Sequence, residues 1–246
     1  MTSTEFDPKG LYNRWSAIIR FREKLCGGTP RNPELLRSFI AAKTEHDDET
    51  TTAQEKEIRE ALLEPSEDKS WNGFPGDEHG LFLWTRQVKA MFRESATMLR
   101  VTTEKRGSKQ ILQHGFEIKG PDGNDSRLYL GTREPSGKLE GPINVTGPQG
   151  PRQAIKRVDF IERPTVKFEI WILKTNHNET RHISEEDLRQ MLIFAQENGL
   201  GADRSQGHGK FDIIEFARIQ TEFDSETQPE PEQASEEKVK RGRKTA

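Results

Sequence analysis

Cysteine is nearly missing from this chain: Cys26 stands alone among 246 residues. A single thiol excludes an internal disulfide and fits a reducing compartment. No apolar run approaches the roughly 20 residues that span a bilayer, and the opening residues lack the apolar core of a secretory signal. The expectation is a soluble, cytoplasmic protein without a membrane partner. Hydrophobic residues make up only 31% of the chain against 32% charged, so part of it must be solvated rather than packed. The spacings C-x-x-C, H-E-x-x-H and D-x-D are all missing, and neither a metal nor a cofactor is expected.

What is present is charge, unevenly distributed. The formal net charge is −3, yet residues 45–68 carry −8, residues 222–237 carry −7 and residues 238–246 carry +5. The remainder is left at +7. A basic body with acidic appendages suits a polyanionic ligand, although solvated charge alone gives the same pattern.

Residues 15–25 alternate with period two, setting Trp15, Ala17, Ile19, Phe21 and Leu25 on one face. Arg20, Arg22 and Lys24 fall on the other, so the spacing predicts a strand with a core face and a basic face. After the Gly27-Gly28 break, Asn32 followed by Pro33 opens a predicted helix with Leu35, Leu36, Phe39 and Ile40 inward. A peripheral helix is expected within 51–63, then a long loop over 64–80 holding Trp71 and Phe74. Those two aromatics either stack on bases or pin the loop to the core. A short strand at 81–84 leads into a helix capped by Thr85, with Val88, Met91, Phe92, Ala96 and Leu99 inward. Arg86, Lys89, Arg93 and Arg100 lie elsewhere on that helix. Residues 110–162 read as short β segments cut by glycine and proline: 116–119, 127–131, 138–145 and 152–161.

The closing unit is the clearest. Strand 165–175 alternates, a helix runs over 184–198 with Ser184 as its cap, and a strand follows at 210–220. Beyond Phe223 the composition cannot bury enough to fold, so residues 224–246 read as a disordered tail. Between helix and last strand lies Gly199-Leu200-Gly201-Ala202-Asp203-Arg204-Ser205-Gln206-Gly207-His208-Gly209. Four glycines in eleven residues let a backbone approach another molecule closely and turn N–H groups toward an anion. The loop follows a helix and precedes a strand. Dinucleotide and Walker loops run from strand to helix, so neither motif applies. The remaining choice is between nucleic-acid contact and a tight structural turn.

A helix, a G-x-G…R-S-x-G-x-G-x-F loop and a final strand together resemble the C-terminal part of the RAMP superfamily, the RRM-like RNA-binding proteins of CRISPR systems. The resemblance is strongest over residues 165–221, with weaker support from Lys89-Ala90-Met91-Phe92-Arg93-Glu94-Ser95-Ala96. The chain is similar to phage and prophage members of that superfamily more than to a standard CRISPR subunit, which would place it in the cytoplasm of a bacterial host. The resemblance implies an α+β fold: a ferredoxin/RRM-like βαββαβ core over 1–223, with an acidic segment and loop at 45–80 and a β-hairpin insertion at 110–162 reaching over bound RNA. It also implies assembly along a strand or with other protein subunits.

The expected function is binding of single-stranded RNA or DNA, RNA favoured through the resemblance. The expected contacts are Gly199, Gly201, Arg204, Ser205, Gln206, Gly207, His208, Gly209 and Lys210 in and after the loop, and Arg20, Arg22 and Lys24 on the sheet face. Trp71 and Phe74 would stack bases, while Arg152, Lys156 and Arg157 would come from the insertion. Three other readings stay open. A metal-independent endoribonuclease would use His208, the one histidine of six inside the loop, as the base for 2′-hydroxyl attack, but no opposing general acid is evident. A phage single-stranded DNA-binding replication protein would prefer DNA. An inhibitory or interaction protein would bind protein instead.

Overall fold

The computed structural model describes residues 8–32, 35, 71–101, 108–121, 126–147, 150–174 and 182–220. Its organising strand is the one the alternation marks. β1 (Tyr12–Phe21) buries Trp15, Ala17, Ile19 and Phe21 and leaves Arg20 exposed. On either side of it, both antiparallel, lie β11 (Thr165–Leu173) and β12 (Phe211–Ile219), and β7 (Phe116–Lys119) pairs with the far edge of β11. The sheet order is therefore β12-β1-β11-β7. Directly opposed residues in such a ladder share a face. Ala17 thus lines up with Phe168 on one side and Phe216 on the other. The register slips between Ile18 and Ile19, where Glu215 and Ile213 are their partners and Ile214 is passed over. That bulge brings Ile213 and Phe216, three residues apart, to the same inner face, and it leaves Ile214 50% exposed.

Two helices cover the inner face. α1 (Thr85–Met98) buries Val88, Met91, Phe92, Ser95 and Ala96; α2 (Glu185–Asn198) buries Leu188, Met191, Leu192 and Ala195. These are the i, i+3, i+4, i+7 stripes of amphipathic helices. Phe92 stands 5.2 Å from Phe116 and 6.5 Å from Phe168, ring centre to ring centre, so helix and sheet interlock through aromatic contacts. Buried Ser95 satisfies its hydroxyl by donating to Met91 O at 2.9 Å. The α2 start follows the sequence: Ser184 Oγ accepts from Asp187 N–H at 3.1 Å, and Asp187 Oδ2 accepts from Ser184 N–H at 2.8 Å. The α1 start is one residue earlier than expected. Trp84 is the cap, its N–H held by Gln87 Oε1 at 2.9 Å, because Gln87 rather than a threonine hydroxyl supplies the acceptor.

A second sheet is assembled from distant segments. β2 (Lys24–Cys26), β10 (Gly150–Glu162), β4 (Trp71–Gly73) and β3 (Thr29–Pro30) lie in that order, and β9 (Gly137–Gly147) forms a long antiparallel hairpin with β10. A third, small sheet comprises β5 (Gly76–Asp77), β6 (Gly80–Trp84) and β8 (Arg127–Tyr129). The second sheet is pinned by a buried ion pair. Arg31 Nη2 lies 2.6 Å from Asp159 Oδ2, with side chains 7% and 0% exposed, and the Trp71 indole N–H donates to Asp159 Oδ1 at 2.9 Å. Room for the pair comes from a glycine. A Cβ on Gly73 would sit 2.5 Å from Asp159 Oδ2 and 2.6 Å from Arg31 Nε.

The α+β class stands, and several sequence expectations need correcting. The strand expected to run on through Leu25 ends at Phe21. The chain bends at Arg22 and Glu23, and Leu25 is buried from the second sheet instead. The loop expected over 64–80 contains β4, whose partners β10 and β3 lie far off in the sequence, and β5, which forms a tight hairpin with β6. The segment 116–119 belongs to the first sheet rather than to an insertion. The helices expected at 33–40 and 51–63 and the tail at 224–246 fall outside the described residues, apart from the Asn32 cap, whose Oδ1 accepts from Leu35 N–H at 3.1 Å. No helix among the described residues is long and apolar enough to cross a membrane.

Replacing Asp159 by alanine strips buried Arg31 of this counter-charge. The expected loss is about 3–5 kcal/mol in urea unfolding. Removing the half-exposed Arg157–Glu140 pair, 3.0 Å apart, with Arg157→Ala should cost under about 1 kcal/mol. Equal losses from the two variants would refute the assignment of the buried pair as the pin of this sheet.

Candidate nucleic-acid interface

α2 ends where Gly199 takes φ +80°, its N–H still donating to Ala195 O at 2.8 Å. The loop then closes on itself, since Leu200 N–H donates to Gly209 O at 2.9 Å. Two bonds fasten it to β2: Gly209 N–H to Lys24 O at 2.9 Å and Ala202 N–H to Cys26 O at 3.0 Å. A single helical turn, Arg204–Gln206, is closed by Gln206 N–H to Asp203 O at 3.0 Å and Gly207 N–H to Arg204 O at 2.9 Å. Glycine is obligatory at the base of the loop. Gly209 has φ +79°, and a Cβ there would stand 2.0 Å from Leu200 O. Six loop amides, those of Gly199, Leu200, Ala202, Gln206, Gly207 and Gly209, are thus spent on backbone partners. The expected cradle of backbone N–H groups is largely pre-empted, and the loop offers side chains instead.

Those side chains border a groove. Between α1 and the loop lies an open cavity of about 500 Å³, walled by Arg86, Lys89, Arg93 and Arg204, with Glu94 as its only carboxylate. Arg204 Nη1 meets Glu94 Oε2 at 2.8 Å, and Asn198 Nδ2 donates to Glu94 Oε1 at 3.0 Å. The hydrogen bond from Arg204 holds the Glu94 carboxyl below its ordinary value of 4.5. Lys89 reaches Gln113 O at 3.2 Å. Partial burial pulls its ammonium below the ordinary lysine value, with Arg93 and Lys119 adding to the effect and Glu117 opposing it. On the other side of Arg204 a second hollow of about 480 Å³ is bordered by Glu197, Asn198, Asp203 and Ser205. Arg204 therefore stands as a divider between two concave surfaces.

The other expected residues scatter. Arg20 is exposed on the outer sheet face, its Nε 3.5 Å from Thr165 Oγ1. Arg22, beyond the bend, pairs with both Glu197 and Asp212 at 2.8 Å, and Lys210 pairs with Glu197 at 3.2 Å. Lys24 lies over the Phe160 ring at 4.5 Å. The three cations share no face because the strand bends between them. Nor is the middle of the outer face open. Trp171 is 5% exposed there, with Arg14 stacked 4.6 Å from its ring and Tyr12 5.6 Å away, while Arg14 pairs with Glu169 at 2.6 Å. Phe74 is 3% exposed inside the main core, and Trp71 lies between Arg31 at 4.6 Å and Lys138 at 3.9 Å. Phe74 is thus packed away from any base, while the partly buried Trp71 ring is already in contact with two cations.

In the hairpin, Lys156 pairs with Asp203 of the loop and Arg157 with Glu140. The side chain of Arg152 lies outside what the structure describes. His208 borders a cavity of about 120 Å³ between hairpin and loop, shared with Glu140, Lys156, Asp203 and Gln206. Lys156, the cationic group there, is committed to Asp203. Cys26 is fully buried, and burial pushes its thiol up to about 11, so it is no nucleophile at neutral pH. No cluster of His, Cys, Asp and Glu among the described residues could hold a metal. Sequence reasoning put Arg86, Lys89 and Arg93 on a helix without assigning them to the site. Their i, i+3, i+7 spacing was the available signal, since it sets all three on one face.

The Arg204–Glu94 contact predicts a titration. Because the folded Glu94 value is depressed, the pair's contribution is present above the ordinary 4.5 and is lost as pH falls through the lower folded value. In a carbon-detected NMR titration the Glu94 carboxyl should rise toward 4.5 in Arg204→Ala. Identical curves for the two proteins would show that the pair does not form.

No protein-family model matches this sequence, and no curated protein matches it. Among solved structures, a chain of a type III-B Cmr-beta complex, determined by cryo-EM bound to cognate target RNA, aligns with a TM-score of 0.44 at 12% identity. The alignment covers 85% of this chain and 61% of that one.

Proposed function

We propose that this chain binds single-stranded nucleic acid, RNA in preference, along the groove between α1 and the glycine-rich loop. The convergence of Arg86, Lys89, Arg93 and Arg204 from two separate elements onto one concave surface carries the reading. A phosphodiester chain needs a line of cations that track its backbone rather than a single deep pocket. Arginines add bidentate geometry at phosphate, and their planes stack on bases.

The strand order β12-β1-β11-β7, with both helices on one face, is the order expected of a ferredoxin-like βαββαβ unit. In that reading α1 and α2 are its two helices, and the β9–β10 hairpin is an insertion beside the site. The preference for RNA rests on the resemblance of the loop to the RAMP superfamily. Arg204 is its pivotal contact: its pair with Glu94 is between half-exposed groups, and a phosphate can take the carboxylate's place at little cost. Ser205 borders the hollow on its other side, and Lys210, just after the loop, pairs with Glu197 of the same hollow. Lys156 of the hairpin and His208 of the loop border the smaller neighbouring cavity.

The test is fluorescence anisotropy with labelled 15-nucleotide RNA and DNA of equal sequence across a salt series. Arg204→Ala and Arg93→Ala should each weaken RNA binding several-fold. Each should also lower the salt slope by about 0.7, the value for one phosphate contact on a single strand. Unchanged affinity in both variants at low salt would move the function away from this groove. A DNA-to-RNA affinity ratio above one would favour the replication-protein alternative instead.

A further inference from the structure

The groove has the opposite charge to a segment of its own chain. Four cations line it against one carboxylate, whereas residues 222–237 hold seven acids and no base. We propose that this acidic segment docks in the α1–loop groove and competes there with single-stranded nucleic acid. The proposal rests on the reading of that groove as the binding site and adds its regulation.

Chain length and position allow the contact. β12 begins beside the loop at Phe211 and ends at Ile219, about 27 Å further on at 3.3 Å per residue. The 17 residues 221–237 span about 55 Å when extended, twice the distance needed to return. The segment is joined directly to the end of β12, so its carboxylates are held near the groove at high effective concentration. Arg93 makes no ion pair with a carboxylate among the described residues, and Arg204 holds only the half-exposed Glu94. The groove can therefore accept several carboxylates without breaking a buried interaction.

The other acidic stretch, residues 45–68, is a weaker occupant. It carries Lys56 and Arg59 among its acids. It is also held at both ends, since Arg31 and Trp71 on its two sides meet at Asp159 in the second sheet. Two anchors in the second sheet restrict where that stretch can settle.

The consequence is a graded competition. A nucleic acid must displace the segment before it gains the groove, so short oligonucleotides are disfavoured and longer ones, which release more counterions, are admitted. Raising salt weakens segment and ligand together, which flattens the salt dependence of the intact chain relative to one whose segment is neutral.

The experiment uses the full chain and a full-length variant in which Glu222, Glu226, Glu230, Glu232, Glu236 and Glu237 become Gln and Asp224 becomes Asn. Zero-length carbodiimide cross-linking with peptide mapping reads the contact, and anisotropy with labelled 15-nucleotide oligouridylate reads the competition. We expect cross-links from segment 222–237 to Lys89, lost on adding oligouridylate, and roughly tenfold tighter binding by the variant at low salt. Lys89 cross-links that go to residues 45–68, or none to 222–237, overturn the proposal even if the variant binds more tightly, since removing charge anywhere on the chain could do that. Oligouridylate that binds neither protein overturns the reading of the groove itself, while the cross-links still judge the docking.

Discussion

Two backbone hydrogen bonds, Gly209 N–H to Lys24 O and Ala202 N–H to Cys26 O, hold the glycine-rich loop against β2. β2 in turn pairs with β10, Cys26 opposite Phe160. A loop that belongs by sequence to the first sheet is thereby bonded to the second. This fixes the C-terminal end of α2, and with it the loop that carries Arg204, against the second sheet. The contact is possible only because the backbones approach so closely: a Cβ on Gly201 would lie 2.7 Å from Cys26 O. Such contacts cannot relax by rotating a side chain, so the groove is a rigid consequence of the fold rather than a feature of a mobile loop.

Glycine therefore has a different role here from the one its spacing suggests. A run of glycines beside Arg and Ser reads as a surface offered to phosphate, yet most of the amides in it are bonded inward. The backbone sets the shape, and in the proposed reading it is the side chains on it that contact the ligand. The same division holds in the second sheet, where Gly73 makes room for Arg31 and Asp159. The buried pair is thus structural. The surface cations are differently placed: Arg22, Arg204 and Lys210 each hold a carboxylate that is itself well exposed. Exposed pairs are worth little, and a polyanion can replace one partner without leaving a buried charge behind.

Legibility followed sequence distance. The inner face of β1, the α2 capping box and the helix-to-strand placement of the loop are local patterns, and all three were readable. The bend at Arg22 and Glu23 was not, because no glycine or proline marks it. It arises because Leu25 and Cys26 find their burial against β10, more than a hundred residues away. β4 escaped notice for the same reason, since Trp71 pairs with Arg157 in a parallel ladder that no hairpin signal announces. The expected basic sheet face failed because alternation describes a strand only as far as the strand runs. Within the site, Arg204 was evident from its loop. Its partners on α1 were not, since helix phase says which residues share a face but not what that face meets.

Charge segregation gives these placements a common logic. The described body is basic, yet its cations are distributed among carboxylates that keep each one in place: Glu197 serves both Arg22 and Lys210, Glu94 serves Arg204, and Asp203 serves Lys156. Along α1 three cations follow one another on a single face with one acid among them. A polyanion that met the surface would thus find several of its cations already paired with a carboxylate, at a distance well under the Debye length. In the proposed reading, selectivity for one groove follows from where the carboxylates stand as much as from where the cations do. On that argument, removing a carboxylate such as Glu197 would enlarge the attractive surface and blur the site rather than weaken it.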